Sequence, residues 1–568
     1  MRVLFASPYG PRRLVDGRDP LDPFTGQLSP AQGPYALRMQ AHYWAFYLMA
    51  ENLRAETCVL EHPTLGEFEA ELRKGYDWLG LQLNWNTLRE AARMIERARV
   101  VAPRTRIVVG GYALPQVMDP LPADHAVAET IRAGADQLCW TEGVTYMRTL
   151  LDDGPIERPI TQYTLPKSVG HLAALGPGLP ALESYPVLVA LGCPAGCDFC
   201  NTSAFFRRRK LTVAEPYDVF RFMRHRAVQD GGARLHFELF DEDFFWDPAV
   251  SRELGVHLRK SPETRGRVAY FTFGSVRTLS RFDAEELAAN GLGMVWIGVE
   301  STLDDVLAPG AHLGKRKGRD VATLFRELRD VGIQVIGSLV LGFDFHTPET
   351  IRKDVDAFIA LDPTISQVTP LLPCAGTALY ERLKQAGRLD PRFGWTTSAG
   401  FDREPPMVPL HVRWDELRAA IEEANRRLFE ETGPSSLKAL DTALRGHLRL
   451  RGRADAALRA RAAALGEAAR RQYPLVEAVL ANAPSARVAE RAREVRERWR
   501  EAFGDPPEVL VDLGRAFAAR VRSVLDERPP APAAAKAPTQ WTFYRPGETP
   551  RTRRRVPAGP AEGRAAGA

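Results

Sequence analysis

The stretch Leu191-Gly-Cys193-Pro-Ala-Gly-Cys197-Asp-Phe199-Cys200 sets three cysteines at a C-x3-C-x2-C spacing. Three clustered thiolates can hold an iron–sulfur cluster and leave one iron without a protein ligand. That open iron can bind a small molecule, so the site would be catalytic rather than only electron-carrying. A structural zinc site wants four ligands, often as two paired C-x2-C or C/H groups. The chain has no second C-x2-C, and no nearby H-x3-H completes a set. Three thiols this close also cannot pair off evenly as disulfides.

Working outward, the cysteines follow directly on the apolar run Val187–Leu191. Further strand candidates are Leu235–Phe240, Val268–Phe273, Met294–Val299, Gln334–Leu341 and Ser366–Leu372. Helical patterns lie between and after them at Pro216–Val228, Ala249–Lys260, Ala284–Asn290, Asp320–Val331, Pro348–Ala360 and Thr377–Ala386. Six β–α units in succession predict a partial (β/α)6 parallel barrel over 186–400, with its chemistry at the carboxyl ends of the strands. The cysteine loop falls at that rim.

Upstream, strand candidates Arg2–Ser7, Glu56–Glu61, Trp78–Leu83, Arg106–Gly111 and Gln137–Thr141 alternate with helical stretches, notably Leu37–Arg54 and Leu88–Ala102. This predicts an α/β domain over 1–160, a doubly wound parallel sheet covered on both faces. Ligands of such sheets bind beyond the strand ends, where Gly110-Gly111 would allow close backbone approach. Residues 161–185 read as a linker, because Gly170 to Pro186 is rich in Pro and Gly. Residues 401–527 read as a helical accessory domain. Residues 528–568 lack periodicity and read as a disordered basic tail, whose Arg551-Thr-Arg-Arg-Arg555 is either solvated or touches RNA or an acidic partner.

Bulk properties narrow the class. The chain has 568 residues, 45% hydrophobic and 26% charged, and a net charge of +5, which does not mark a nucleic-acid binder. Six cysteines, three of them in one loop, fit a reducing cytoplasm rather than a disulfide scaffold. No apolar stretch approaches the ~20 residues that span a bilayer, and the N-terminal apolar run is too short for a signal peptide.

Together these segments resemble the radical S-adenosylmethionine superfamily, in its branch with a cobalamin (B12)-binding domain, over roughly residues 1–400. Cys193, Cys197 and Cys200 match its cluster signature, and Phe199 matches the aromatic position near the adenine. Phe240-Asp241-Glu242-Asp243-Phe244 resembles the acidic end of the second strand, which faces the methionine part of the cofactor. Ile297-Gly-Val-Glu300-Ser301 is similar to the fourth-strand motif at the ribose. Gly337-Ser-Leu-Val-Leu-Gly342 is similar to the fifth-strand segment beside the adenine, and Pro373-Cys-Ala-Gly-Thr-Ala-Leu-Tyr380 to the segment after strand six. In the first domain, Leu83-Asn-Trp85-Asn86-Thr87, Val108-Val-Gly110-Gly111 and Gly134-Ala-Asp through Thr141-Glu142-Gly143 resemble loops that cup the corrin and its tail. Thr141 and Tyr112-Ala depart from the usual residues at their positions. The Asp-x-His-x-x-Gly motif for a lower axial ligand is missing. Glu61-His-Pro-Thr-Leu-Gly66 follows the wrong strand, so His62 reads as a loop histidine.

The resemblance implies a [4Fe-4S] cluster, S-adenosylmethionine (SAM) and cobalamin as cofactors. It implies reductive cleavage of SAM to a 5′-deoxyadenosyl radical, used to methylate an unactivated carbon of a small-molecule, lipid or peptide substrate. The electron would come from a donor such as flavodoxin or ferredoxin. Two other readings stand beside it: a radical SAM enzyme that does not use cobalamin, and a non-enzymatic iron–sulfur or RNA-associated protein. Single residues also have two readings. Glu300 is a cofactor contact or a buried ion pair, and Trp85 lies on the corrin or packs in the core. Asp241, Glu242 and Asp243 are packed too closely to be all structural and read as cofactor groups, with surface caps as the other reading for one or two of them. Arg207-Arg-Arg-Lys210 is a solvated basic stretch or an anion site. Cys374 enters the cavity or, like Cys58 and Cys139, is a small buried hydrophobe.

Overall fold

In the computed structural model, Arg2–Ala6, Glu56–Glu61, Trp78–Gln82, Arg106–Gly110 and Gln137–Cys139 form parallel strands in the order second, first, third, fourth, fifth. The structure describes residues 1–10, 28, 30–40, 42–155, 160–175, 182–230, 234–303, 318–396, 406–527 and 538–555. Leu4, Val59, Leu79 and Val109 are wholly buried because helices cover both faces of the sheet. The helix Leu88–Val101, for example, turns Leu88, Ala91, Met94, Ile95 and Ala98 inward. The strand order reverses between the first and third strands, which opens a crevice at their carboxyl ends.

The second sheet holds six parallel strands in sequence order: Leu182–Leu188, Leu235–Phe240, Val268–Gly274, Leu292–Glu300, Gln334–Leu341 and Ile365–Pro370. This is the expected partial barrel. Two antiparallel strands, Ser168–Leu172 and Leu37–Gln40, extend its first edge. They correct two expectations. The segment 161–185 is not simply a linker, since its described part contributes strands to the sheet. Only Trp44–Asn52 of the expected helix Leu37–Arg54 is helical. Both misreadings have one physical cause: short edge strands take their hydrogen bonds from distant partners, and no local pattern announces that.

Past the barrel, helices run from Trp414–Thr432 through Glu508–Asp526. Asp362, after the fifth barrel helix, receives Arg329 at 2.6 Å and Arg491 at 2.8 Å, tying the barrel to this helical region. Thr539–Tyr544 and Arg551–Arg555 then form an antiparallel hairpin, and its first strand pairs with Glu56–Glu61 of the first sheet. The expectation of a disordered basic tail is corrected for these residues. Gln540, Thr542 and Tyr544 are buried, and Gln540 Nε2 donates to Tyr47 at 2.7 Å. Residues 528–537 and 556–568 of that expectation lie outside the described residues. No helix of the described residues is long and apolar enough to cross a membrane.

Candidate functional site

The cysteine loop leaves the first barrel strand through two forced turns. Gly192 has φ +84°, and a Cβ there would lie 2.3 Å from the Arg209 carbonyl oxygen. Gly196 has φ +73° and lies under the Arg208 guanidinium. These are left-handed positions that favour glycine. Ser203 Oγ donates to the Cys193 carbonyl at 2.8 Å and accepts from the Gly196 N–H at 3.1 Å, closing the loop on the helix Asn201–Phe205. Cys193 and Cys197 are buried and Cys200 is half-buried; none is in a disulfide. Among the described residues no three His, Cys, Asp or Glu side chains group tightly enough to chelate one metal ion. A mononuclear site needs such convergence, whereas in a four-iron cluster each thiolate meets its own iron. The donor set, three soft thiolates on one rim loop, fits such a cluster. Phe199 lies edge-on to Phe343 at 5.9 Å. Cys374 is buried near Cys200; burial first, and the neighbouring thiol second, push its thiol up to about 12.

The three acids after the second strand divide their tasks. Asp243 is a brace, accepting from Ser275 Oγ at 3.0 Å and Thr278 Oγ1 at 2.9 Å. Asp241 pairs with Lys210 at 2.8 Å, yet its Oδ2 is buried with no partner. Burial raises its carboxyl above the usual range, with Lys210 opposing. Glu242 Oε2 is likewise buried and unpartnered, and burial pushes this carboxyl up to about 7. One strand end thus carries two buried carboxylate oxygens without a hydrogen-bond partner. Inside the barrel, Glu238 accepts from Ser184 Oγ at 2.5 Å and is raised to about 6 by burial.

The fourth and fifth strand ends share one buried anchor. Glu300 takes φ +63°, the left-handed region that a non-glycine residue enters at a penalty. Its carboxylate folds back over Gly298, where a Cβ would lie 2.3 Å from Oε1. Next to it, Ser301 Oγ, Thr302 N and Thr302 Oγ1 all donate to Asp354 at 2.6 Å. His346 Nδ1 accepts from the Gly342 and Phe343 N–H groups, at 2.8 and 3.2 Å. Its Nε2 therefore carries the proton and donates to Asp354 at 3.2 Å. Burial opposes the Asp354 charge, but these donors outweigh it and lower the carboxyl below its usual range. Gly342 has φ +105° and faces Leu417 of the helical region. Gly337 faces Pro363, Phe325 and Phe358 in the outer helical layer.

The first domain meets this rim through Tyr112. Its hydroxyl donates to Glu242 at 3.3 Å, and its carbonyl accepts from Asn201 Nδ2 at 2.9 Å. Gly111, with φ +124°, is pressed against the Leu83 carbonyl, and Gly110 against Cys139. Trp85 lies 5.8 Å from Trp395, with Asn86 beside it in the same turn. Glu142 caps its own helix, accepting from the Val144 and Thr145 N–H groups at 2.5 and 2.9 Å, while Gly143 abuts Met49. Sequence reasoning missed Tyr112, His346 and Asp354 as parts of the site, and of the basic stretch it read as solvated or anion-binding, Lys210 turns to a carboxylate, that of Asp241. Asp354 had a signal: it sits among Ile351, Val355 and Phe358 on the apolar face of its helix, where an unpaired carboxylate would be costly.

Residues 187–358 match the profile of the Radical SAM superfamily. The bacteriochlorophyllide d C-12(1)-methyltransferase of Chlorobaculum tepidum is 25% identical over 215 residues, 37% of this chain and 44% of that protein. An uncharacterized methyltransferase of Pyrococcus horikoshii is 24% identical over 201 residues, 34% of this chain and 41% of that protein. The chain thus spans less than half the length of either relative. Among solved structures, the radical S-adenosylmethionine methyltransferase TsrM from Kitasatospora setae, with cobalamin and a [4Fe-4S] cluster bound, is 17% identical with a TM-score of 0.47. The match covers 82% of this chain and 99% of that one. The rim cysteine loop, the six-stranded partial barrel and the profile match together place residues 187–358 in the radical SAM superfamily.

Proposed function

We propose that this protein is a cytoplasmic, cobalamin-dependent radical SAM methyltransferase acting on an unactivated carbon of a small-molecule, lipid or peptide substrate. The observation that carries the proposal is that Tyr112 joins the two ligand-facing rims: the fourth-strand end of the first sheet to Glu242 and to the cysteine-loop helix. A methyl carrier on one rim and a radical source on the other would then share one cavity. When bound, the cluster with SAM supplies a 5′-deoxyadenosyl radical, and cobalamin supplies the methyl group.

The chain's own residues hold and orient these parts. Cys193, Cys197 and Cys200 would hold the cluster, which would supply the site at which SAM binds and is reduced. Glu242 and the free oxygen of Asp241 face the cationic end of the methionine moiety. Glu300, held over Gly298, meets the ribose hydroxyls. The buried His346–Asp354 pair fixes the fourth and fifth strand ends against which the nucleoside rests. An external carrier such as flavodoxin or ferredoxin provides the electron.

A second reading keeps the radical chemistry and omits the corrin. It is favoured by Trp85 lying on Trp395 and by Glu142 being occupied with its own helix. Anaerobic reconstitution with iron and sulfide, then addition of a reductant and SAM, should yield 5′-deoxyadenosine. No such product would remove both readings in favour of a non-enzymatic iron–sulfur protein. Titration with hydroxocobalamin separates them: corrin uptake of about one per chain supports methyl transfer, and no uptake leaves the second reading.

A further inference from the structure

We infer that the outer strand of the hairpin, Arg551–Arg555, is a docking edge for an extended acidic segment of a partner polypeptide, one with carboxylates at every second residue. The inference does not rest on the reading of the cysteine loop. Arg551–Arg555 pairs with Thr539–Tyr544 alone and ends the first sheet on the side away from Arg106–Gly110. All five of its residues are exposed. In an antiparallel ladder alternate residues turn their N–H and C=O groups outward. Among the described residues no strand lies beside that outward row. Five residues span about 17 Å, the length of an ordinary strand.

The side chains give this edge a sign. Arg551, Arg553 and Arg555 fall on one face by the period of a strand, roughly 7 Å apart. Arg551 stands opposite Phe543, which is 38% exposed, and Arg553 opposite Trp541, its guanidinium 5.7 Å from the ring centre. The nearby acids hold this charge loosely. Glu548 lies 3.8 Å from Arg551 and Glu67 3.6 Å from Arg555, and these two guanidiniums are 82% and 70% exposed. Such exposed pairs contribute little. The other face is occupied in closing the hairpin: Arg554 Nε donates to Gln540 at 2.7 Å, and the Thr542 and Thr552 hydroxyls meet at 3.1 Å.

Charge on an edge strand commonly keeps other strands away, and a single well-placed cation does that. Three guanidiniums in a row on one face repel one another, so an anionic strand is the neighbour they favour. An acidic strand neutralises them while its own amide and carbonyl groups extend the ladder. A nucleic acid fits less well, because the outward carbonyl oxygens would face its phosphates. The flanking sequence does not supply the acids: 528–538 contains no Asp or Glu, and 556–568 contains one, Glu562. The partner's carboxylates therefore alternate along an extended stretch of about five or six residues, each beside an arginine.

The test follows a fluorescein-labelled hexapeptide, Glu-Val-Glu-Thr-Glu-Val, by anisotropy with the full chain. Neither cluster nor SAM is needed, so its outcome is separate from that of the proposed function. Two further peptides carry backbone N-methyl groups, one at the glutamates and the other at the valines and threonine. Only one of these sets can face the edge. One methylated peptide should therefore bind at least about tenfold more weakly, while the other stays within about threefold of the parent. The double variant Arg551→Gln/Arg553→Gln should weaken the parent peptide about tenfold, with hydrogen exchange of the Thr539–Tyr544 amides unchanged. Equal binding of all three peptides would mark a plain charge patch and overturns the inference. So does unchanged binding by the variant, tighter binding of deca-uridylate, or no peptide binding up to about 1 mM. If the double variant loosens the hairpin, the methylated pair on the wild type decides alone.

Discussion

The Tyr112 hydroxyl reaches from the first domain to the Glu242 carboxylate in the barrel, at 3.3 Å. Both groups are withdrawn from water; the Glu242 carboxylate makes the phenolate harder to form, while the phenol's hydrogen bond favours the carboxylate and only partly offsets its burial. Burial first, and then Glu242, drive the phenol well above its ordinary range, while burial lifts the carboxyl to about 7. The contact between the domains is therefore a neutral hydrogen bond at acidic pH and a charge-assisted one above neutrality, where the buried carboxylate pays for its lost hydration.

Stability should follow that titration. Between the ordinary carboxyl value of 4.5 and about 7, the folded chain keeps a proton on Glu242 that the unfolded chain has lost. The native state binds more protons there, so its stability falls as pH rises through the window. Glu242→Gln removes the effect. Its melting temperature relative to wild type should rise by about 3 °C between pH 5 and pH 7.5. A difference that stays flat across the window would show that Glu242 titrates normally.

Removing the shared anchor should damage two strand ends at once. Asp354→Ala leaves Ser301, Thr302 and His346 as buried donors without their acceptor. The expected penalty is about 3–5 kcal/mol in urea unfolding of the barrel. Because the Asp354 carboxyl is lowered, the wild type's advantage should be complete above about pH 4 and lost as pH falls through the folded value. A penalty below about 1 kcal/mol would mean that water takes over the acceptor role.

The smallest substitution tests Glu300. Gly298→Ala places a methyl where the Glu300 carboxylate now lies, and the end of that side chain can swing away. The fold should survive, with a melting temperature within about 2 °C of wild type. Affinity for SAM, measured by calorimetry on the cluster-loaded protein, should fall about tenfold, or ~1.4 kcal/mol. Unchanged affinity would place Glu300 outside the cofactor site.

The hairpin is also open to a single substitution. Tyr544 is 6% exposed and its hydroxyl meets Thr164 at 3.2 Å. Tyr544→Ala should cost about 3 kcal/mol and loosen the hairpin from the Glu56–Glu61 edge. Hydrogen exchange of the Val59 and Leu60 amides reports this directly, and protection equal to wild type would refute it.

The sequence showed the barrel plainly, because parallel strands buried on both faces are continuous apolar runs and each was flanked by an amphipathic helix. Leu292–Glu300 and Gln334–Leu341 were found within two residues. The cysteine spacing was legible for a similar reason: it is a local constraint. What escaped was what local pattern cannot hold. Leu37–Gln40 is a strand only because Ser168–Leu172 lies beside it. From Gln540 to Tyr544 the tail alternates buried and less buried residues, but Pro, Ala and Arg around it masked a six-residue strand with five good strand formers. Tyr112 and Glu242 are 130 residues apart, and nothing in either neighbourhood names the other.

Residues Thr539–Tyr544 complete a sheet whose neighbouring strand, Glu56–Glu61, emerges from the ribosome some 480 residues earlier. Until then the nascent first domain presents a bare row of amide and carbonyl groups, a template for wrong partners. At about 5–20 residues per second, that interval lasts roughly half a minute or longer. A trigger-type chaperone shielding this edge would raise the yield of intact protein, and expression at lower translation load should do the same.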